Sequence, residues 1–120
     1  MRQTLFAVLV LTVLLAACGG GGGEAAPDPE RGEQLFAMNC AVCHGPAATG
    51  SLQGPPLVHE VYEPGHHPDE LFVRAVMEGV SQHHWDYGPM PRIGGLTERD
   101  VEDITAYVRQ LQREAGIIQE

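Results

Sequence analysis

Cys40, Ala41, Val42, Cys43 and His44 place two thiols three positions apart, with an imidazole directly after the second. Covalent attachment of haem needs this set: each thiol adds to one vinyl group, and the imidazole reaches the iron. Two other chemistries use paired cysteines. A zinc site needs a second ligand pair, and the only further cysteine, Cys18, lies in the amino-terminal region. A redox-active dithiol belongs at a helix start in a chain of βαβ pattern, which this sequence lacks. The segment therefore predicts one covalently bound haem c, since no second cysteine pair exists.

The elements around this segment are readable from caps and periodicity. Asp28 followed by Pro29 predicts a first helix, with aspartate as cap, proline at its first position, and Leu35 and Phe36 on its apolar side. Residues 45–65 are rich in glycine and proline and read as loop. A second helix of about eleven residues is expected from Pro68, Asp69 and Glu70 to the stop at Gly79. Leu71, Phe72, Ala75, Val76 and Met77 fall on its apolar side, and His67 is expected at its cap. Residues 81–95 form another structured loop. Thr97 and Asp100 make a capping-box pattern, after which Val101, Ile104, Val108, Leu111 and Ala115 recur at steps of three and four. No stretch alternates as a strand does, so the fold class is all-α, helices wrapped around a cofactor.

The amino terminus reads as an address. Arg2 precedes an apolar run from Leu5 to Ala17, and at about 13 residues that run would cover only some 20 Å, short for a membrane span. Leu15, Ala16, Ala17 and Cys18 resemble the bacterial lipoprotein box, so residues 1–17 are expected to be a signal peptide and Cys18 the lipidated residue. Residues 18–28, with the glycine run Gly19 to Gly23, form a tether too poor in apolar residues to fold. The folded domain is expected over residues 29–116, with a tail at 117–120. The protein should be exported and held by lipid at the outer face of the cell membrane or facing the periplasm.

Lys and Arg number 7 against 16 Asp and Glu, giving a net charge of -9. Nucleic acid, which is bound by clustered basic residues, is excluded as a partner. An acidic surface suits a solvated domain or docking onto a basic protein patch.

From about Glu30 to Arg113 the chain resembles the class I c-type cytochromes. Gly32, Phe36 and Cys40 fall four apart, as that family's first helix requires, and Ile104, Ala106, Tyr107 and Val108 resemble its terminal helix. The resemblance implies that Gly32 allows close contact between those helices. It implies that the Pro55 carbonyl, in Gly54, Pro55 and Leu57, accepts a hydrogen bond from the iron-bound histidine. It further implies that Met90, in the rigid loop Gly88, Pro89, Met90, Pro91, is the sixth iron ligand, opposite His44. Met38 is too near Cys40 to reach the opposite face, and Met77 is expected in the core. His59, His66, His67, His83 and His84 are further imidazoles; His83 and His84 are the rivals of Met90, and the two adjacent pairs are weak candidates for copper or zinc. Trp85 and Tyr87 are expected to wall the haem from water, and Arg92 to pair with a propionate.

The function so implied is that of a membrane-tethered one-electron carrier between redox protein partners, not an enzyme and without a small-molecule substrate. The alternatives are a haem enzyme or gas sensor with a displaceable sixth ligand, or the electron-entry subunit of a larger complex.

Overall fold

A computed structural model describes residues 25–119. The expectations for the signal segment, Cys18, most of the tether and the last residue lie outside that range. Four helices are described: α1 (Pro29–Asn39), α2 (Ala41–His44), α3 (Asp69–Glu78) and α4 (Glu98–Glu114), with a 3-10 turn at Glu60–Tyr62. Among the described residues there is no strand, only one isolated antiparallel bridge between Val80 and Met90. No described helix is long and apolar enough to cross a membrane.

α1 starts where its cap demands. The Asp28 carboxylate accepts hydrogen bonds from the Glu30 and Arg31 amides at 3.0 and 3.3 Å, serving donors that the first turn leaves free. The helix then packs across α4 at Gly32. A side chain there would put its Cβ 1.9 Å from the Asp103 carbonyl oxygen, so only glycine lets these backbones meet. One turn on, Phe36 and Tyr107 pack as a tilted pair with ring centroids 5.6 Å apart. They join Cys40, Ala48, Ile104 and Val108 in the core.

Charge fixes the outer end of the same crossing. Asp103 is 1% exposed, accepts from the Asp28 amide at 2.8 Å, and pairs with Arg31 and, at 3.2 Å, with Arg99. Burial alone would raise its pKa, but the Asp28 N–H and the two guanidiniums hold it below the usual carboxylate value.

α4 begins with the expected capping box. The Thr97 hydroxyl accepts from the Asp100 amide, and the Asp100 carboxylate accepts from the Thr97 amide. Val101, Ile104, Tyr107 and Val108 are buried, but the apolar stripe ends earlier than its period implies: Ala115 is exposed, at the helix cap.

α3 corrects two expectations. Its N-cap is Pro68, with no side-chain cap bond, and the His67 ring instead turns back, its Nδ1 2.7 Å from the Val61 carbonyl. Proline fixes the backbone at that position, and a carbonyl acceptor close by takes the imidazole N–H. Met77 is 36% exposed and outside the core, because Val76 takes the buried face and the next residue lies about 100° around the helix. Gly79 ends the helix at φ +86°, in the region open to glycine.

Residues 45–65 are irregular as read, apart from the 3-10 turn. The segment is ordered by its own hydrogen bonds: the Ala48 carbonyl accepts from the Leu57 and Val58 amides at 2.8 and 3.0 Å.

Candidate functional site

A cavity of about 400 Å³ lies between these elements, within the range of ligand pockets. One side is formed by Cys40, Cys43, His44 and Pro55, another by Leu71, Phe72 and Val76 of α3, and a third by Val80, Met90 and Ile93. Val101 and Ile104 of α4 complete it. The walls are mainly apolar.

Cys40, the cap between α1 and α2, and Cys43 and His44 of α2 share one turn, held by the amides of Cys43 and His44 donating to the Cys40 carbonyl at 3.1 and 2.9 Å. Neither thiol is paired in a disulfide. Burial, with a smaller contribution from Cys43, pushes the Cys40 thiol up to about 11. His44 is buried, and its Nδ1 lies 2.8 Å from the Pro55 carbonyl oxygen. A carbonyl can only accept, so Nδ1 carries the proton and Nε2 keeps its lone pair. Burial lowers the His44 pKa, with the Pro55 carbonyl opposing, which favours the neutral imidazole that metal ligation requires.

Gly54 makes the Pro55 contact attainable. A Cβ on Gly54 would stand 2.8 Å from the Cys43 carbonyl oxygen, so the bare glycine lets this loop close onto α2.

Met90 sits in the facing loop. Its amide and carbonyl each bond Val80, at 2.9 Å, and the Ile93 amide donates to the Val76 carbonyl at 2.8 Å. The loop is thereby pinned to the end of α3. Among the described methionines, Met38 is 73% exposed and Met77 half-open to solvent, and neither lines the cavity, whereas Met90 does.

The aromatic wall forms in part as expected. Trp85 is half-buried, lines the cavity and donates its indole N–H to the Tyr62 hydroxyl at 3.1 Å. Tyr87 lines it too but is 42% exposed. Arg92 is exposed and outside the cavity wall, and the arginine that lines it is Arg74. Arg74 lies on α3, which contributes several residues to the cavity wall, whereas Arg92 is exposed between Pro91 and Ile93.

Sequence reasoning missed Arg109 and Gln112. Both are buried on α4. Arg109 donates to Asp69 Oδ1 at 2.8 Å, to the Tyr62 carbonyl at 2.6 Å, to Gln112 Oε1 at 2.8 Å and to the His67 carbonyl. Gln112 donates to the Leu57 and Tyr62 carbonyls at 2.8 and 3.1 Å. Together they bind the loop that closes the cavity onto α4. The available signal was their spacing, one step round from Val101, Ile104 and Val108 on the inward side.

The histidines are also redistributed. His59 accepts from the Val61 amide at 3.1 Å and caps the 3-10 turn. His66, His67, His83 and His84 gather at the cavity rim, although the chain separates the two pairs by a whole helix.

A flat, largely apolar group carrying a metal fits this arrangement. Two thiols and an imidazole with a free Nε2 line the cavity, and so does Met90 in the pinned loop.

Residues 29–112 match the family described as Cytochrome c. No curated protein matches the chain. Among solved structures, the chain is similar in fold to cytochrome cL from the marine methylotrophic bacterium Methylophaga aminisulfidivorans MPT, at TM-score 0.57 and 23% identity, over 85% of this chain and 79% of the other. The family match covers well over half the chain and coincides with the cavity-forming elements, so the protein belongs to the cytochrome c family, whose covalently bound haem c it carries as a single group.

Proposed function

We propose that this cytochrome is a one-electron carrier whose haem is attached through Cys40 and Cys43 and ligated by His44 and Met90. The observation that carries the reading is one cavity lined by both cysteines, by His44 with Nδ1 held by Pro55, and by Met90. When bound, haem supplies reversible one-electron exchange at iron.

The chain's own residues do the rest. The Pro55 carbonyl fixes the imidazole tautomer and raises the basicity of Nε2. Met90 offers an uncharged thioether, which favours the reduced metal and a comparatively high potential. The Val80–Met90 backbone bonds anchor the loop segment that carries this thioether. Apolar walls from α3 and α4, with Trp85, exclude water.

Partners are redox proteins, and the net charge of -9 favours a donor or acceptor with a basic docking patch. Cys18 carries lipid, and residues 18–28 tether the domain to the outer face of the membrane. Support for the anchor is the sequence around Cys18 alone. Mass spectrometry of the mature amino terminus should find acylated Cys18; a free end elsewhere overturns the anchor.

Met90→Ala tests the carrier reading. The native protein should be low-spin, and its ferrous form should not bind carbon monoxide quickly. In the variant the potential should fall and carbon monoxide should bind. An unchanged spectrum and potential would transfer the ligand role to His83 or His84, and rapid carbon monoxide binding by the native protein would favour an enzyme or sensor.

A further inference from the structure

Four imidazoles at the cavity rim remain without a part in electron transfer. His66 Nε2 and His84 Nε2 lie 3.3 Å apart. His66, His67 and His84 each offer a ring nitrogen, all within 4.8 Å of one another. Among the described residues no carboxylate or thiol joins the group.

We propose that His66, His67 and His84 form a second metal site, for a zinc- or copper-type divalent ion, distinct from the haem iron. Zinc binds imidazole nitrogen at about 2.0–2.1 Å, and the edge of a tetrahedron with that radius is about 3.3–3.4 Å. The His66–His84 separation equals that edge. The third nitrogen, on His67, lies within 4.8 Å of both, a distance that ring rotation can close on an ion.

A backbone partner already orients one of the three rings. The Val61 carbonyl, 2.7 Å from His67 Nδ1, accepts its proton, which leaves Nε2 with a lone pair. This is the usual support for a ligating histidine, whose far nitrogen donates to a carbonyl or carboxylate. His83 has the same arrangement, Nδ1 to the Ser81 carbonyl at 2.9 Å. Its ring centroid lies 4.3 Å from that of His84. His83 is therefore the neighbour best placed to reach the fourth position, which is otherwise left to water.

An all-imidazole set selects zinc or copper over magnesium or calcium, which prefer oxygen. His66 and His67 belong to the segment before α3, and His84 to the loop between Val80 and Met90. An ion here would join two segments that wall the cavity and restrain the loop that holds Met90.

The test is calorimetric titration of the untagged holoprotein with Zn²⁺ alone, and with Mg²⁺ alone for comparison. One Zn²⁺ per chain should bind, with Mg²⁺ giving no saturable heat. His66→Ala and His84→Ala change exposed side chains and should keep the native haem spectrum. Each should weaken Zn²⁺ by more than the roughly 10–100-fold typical of losing a group one step removed from the metal. Cu²⁺ added alone should show nitrogen hyperfine coupling from three imidazoles by electron paramagnetic resonance. Absent saturable Zn²⁺ binding, or native affinity in both variants, overturns the site. So does a change of haem ligation on adding Zn²⁺, which would assign these rings to the iron.

Discussion

Replacing Gly32 by alanine attacks the contact on which the α1–α4 crossing depends. The new Cβ would lie 1.9 Å from the Asp103 carbonyl oxygen, 2.5 Å from its carbon and 3.0 Å from the Ile104 nitrogen. All three are backbone atoms inside a helix, so no side-chain rotation relieves the clash. Restoring van der Waals separation requires α1 to retreat by about 1.5 Å. That movement stretches the 2.8 Å bond from the Asp28 amide to the Asp103 carboxylate beyond hydrogen-bonding range. A bond to a charged group contributes about 1.5–3 kcal/mol, and loosening the Phe36–Tyr107 pair removes up to about 1 kcal/mol more. Alanine returns about 1 kcal/mol through its helix propensity. The expected net loss is about 0.5–3 kcal/mol, centred near 2 and comparable to the usual cost of overpacking. Guanidinium unfolding of the holoprotein should show a lower midpoint with an unchanged slope. Gly94→Ala serves as the control, since no atom lies within 4 Å of a Cβ built there, and it should stay within about 0.5 kcal/mol of native. A Gly32→Ala protein as stable as that control would refute the close-contact argument.

Gln112→Leu should destabilise by about 1–3 kcal/mol by denaturant unfolding, since it leaves the part-buried Leu57 carbonyl without its partner and takes an acceptor from the buried Arg109. Asp100 is lowered from 3.8 to about 2, chiefly by bonds from Thr97, with Arg31 adding to them. The unfolded chain binds this proton first, so the stabilisation is full above pH 4 and is lost as pH falls towards 2. Asp100→Asn should be less stable than native at neutral pH and flatter across that window; parallel stability curves would contradict the linkage. Replacing Cys40 and Cys43 together by serine should let denaturing solvent extract the haem, read as lost haem staining on a denaturing gel.

Features set by neighbours along the chain were legible in the sequence. Asp28 and Pro29 start α1, Thr97 and Asp100 box the start of α4, and Gly79 stops α3 because caps and left-handed stops act over three or four residues. The turn from Cys40 to His44 is equally local, and its chemistry is legible in residue type and spacing. Packing decided what local rules could not. Met77 sits one residue past the buried face of α3, and the helical period alone leaves that angle open. His67 is drawn from the helix cap by the Val61 carbonyl, an acceptor supplied by a different turn. Arg109 and Gln112 are polar, and only the loop carbonyls brought to them make their burial tolerable. The histidine cluster shows the division most plainly: the sequence by itself supplied two imidazole pairs, and the fold of α3 between them decided that three rings converge at one point.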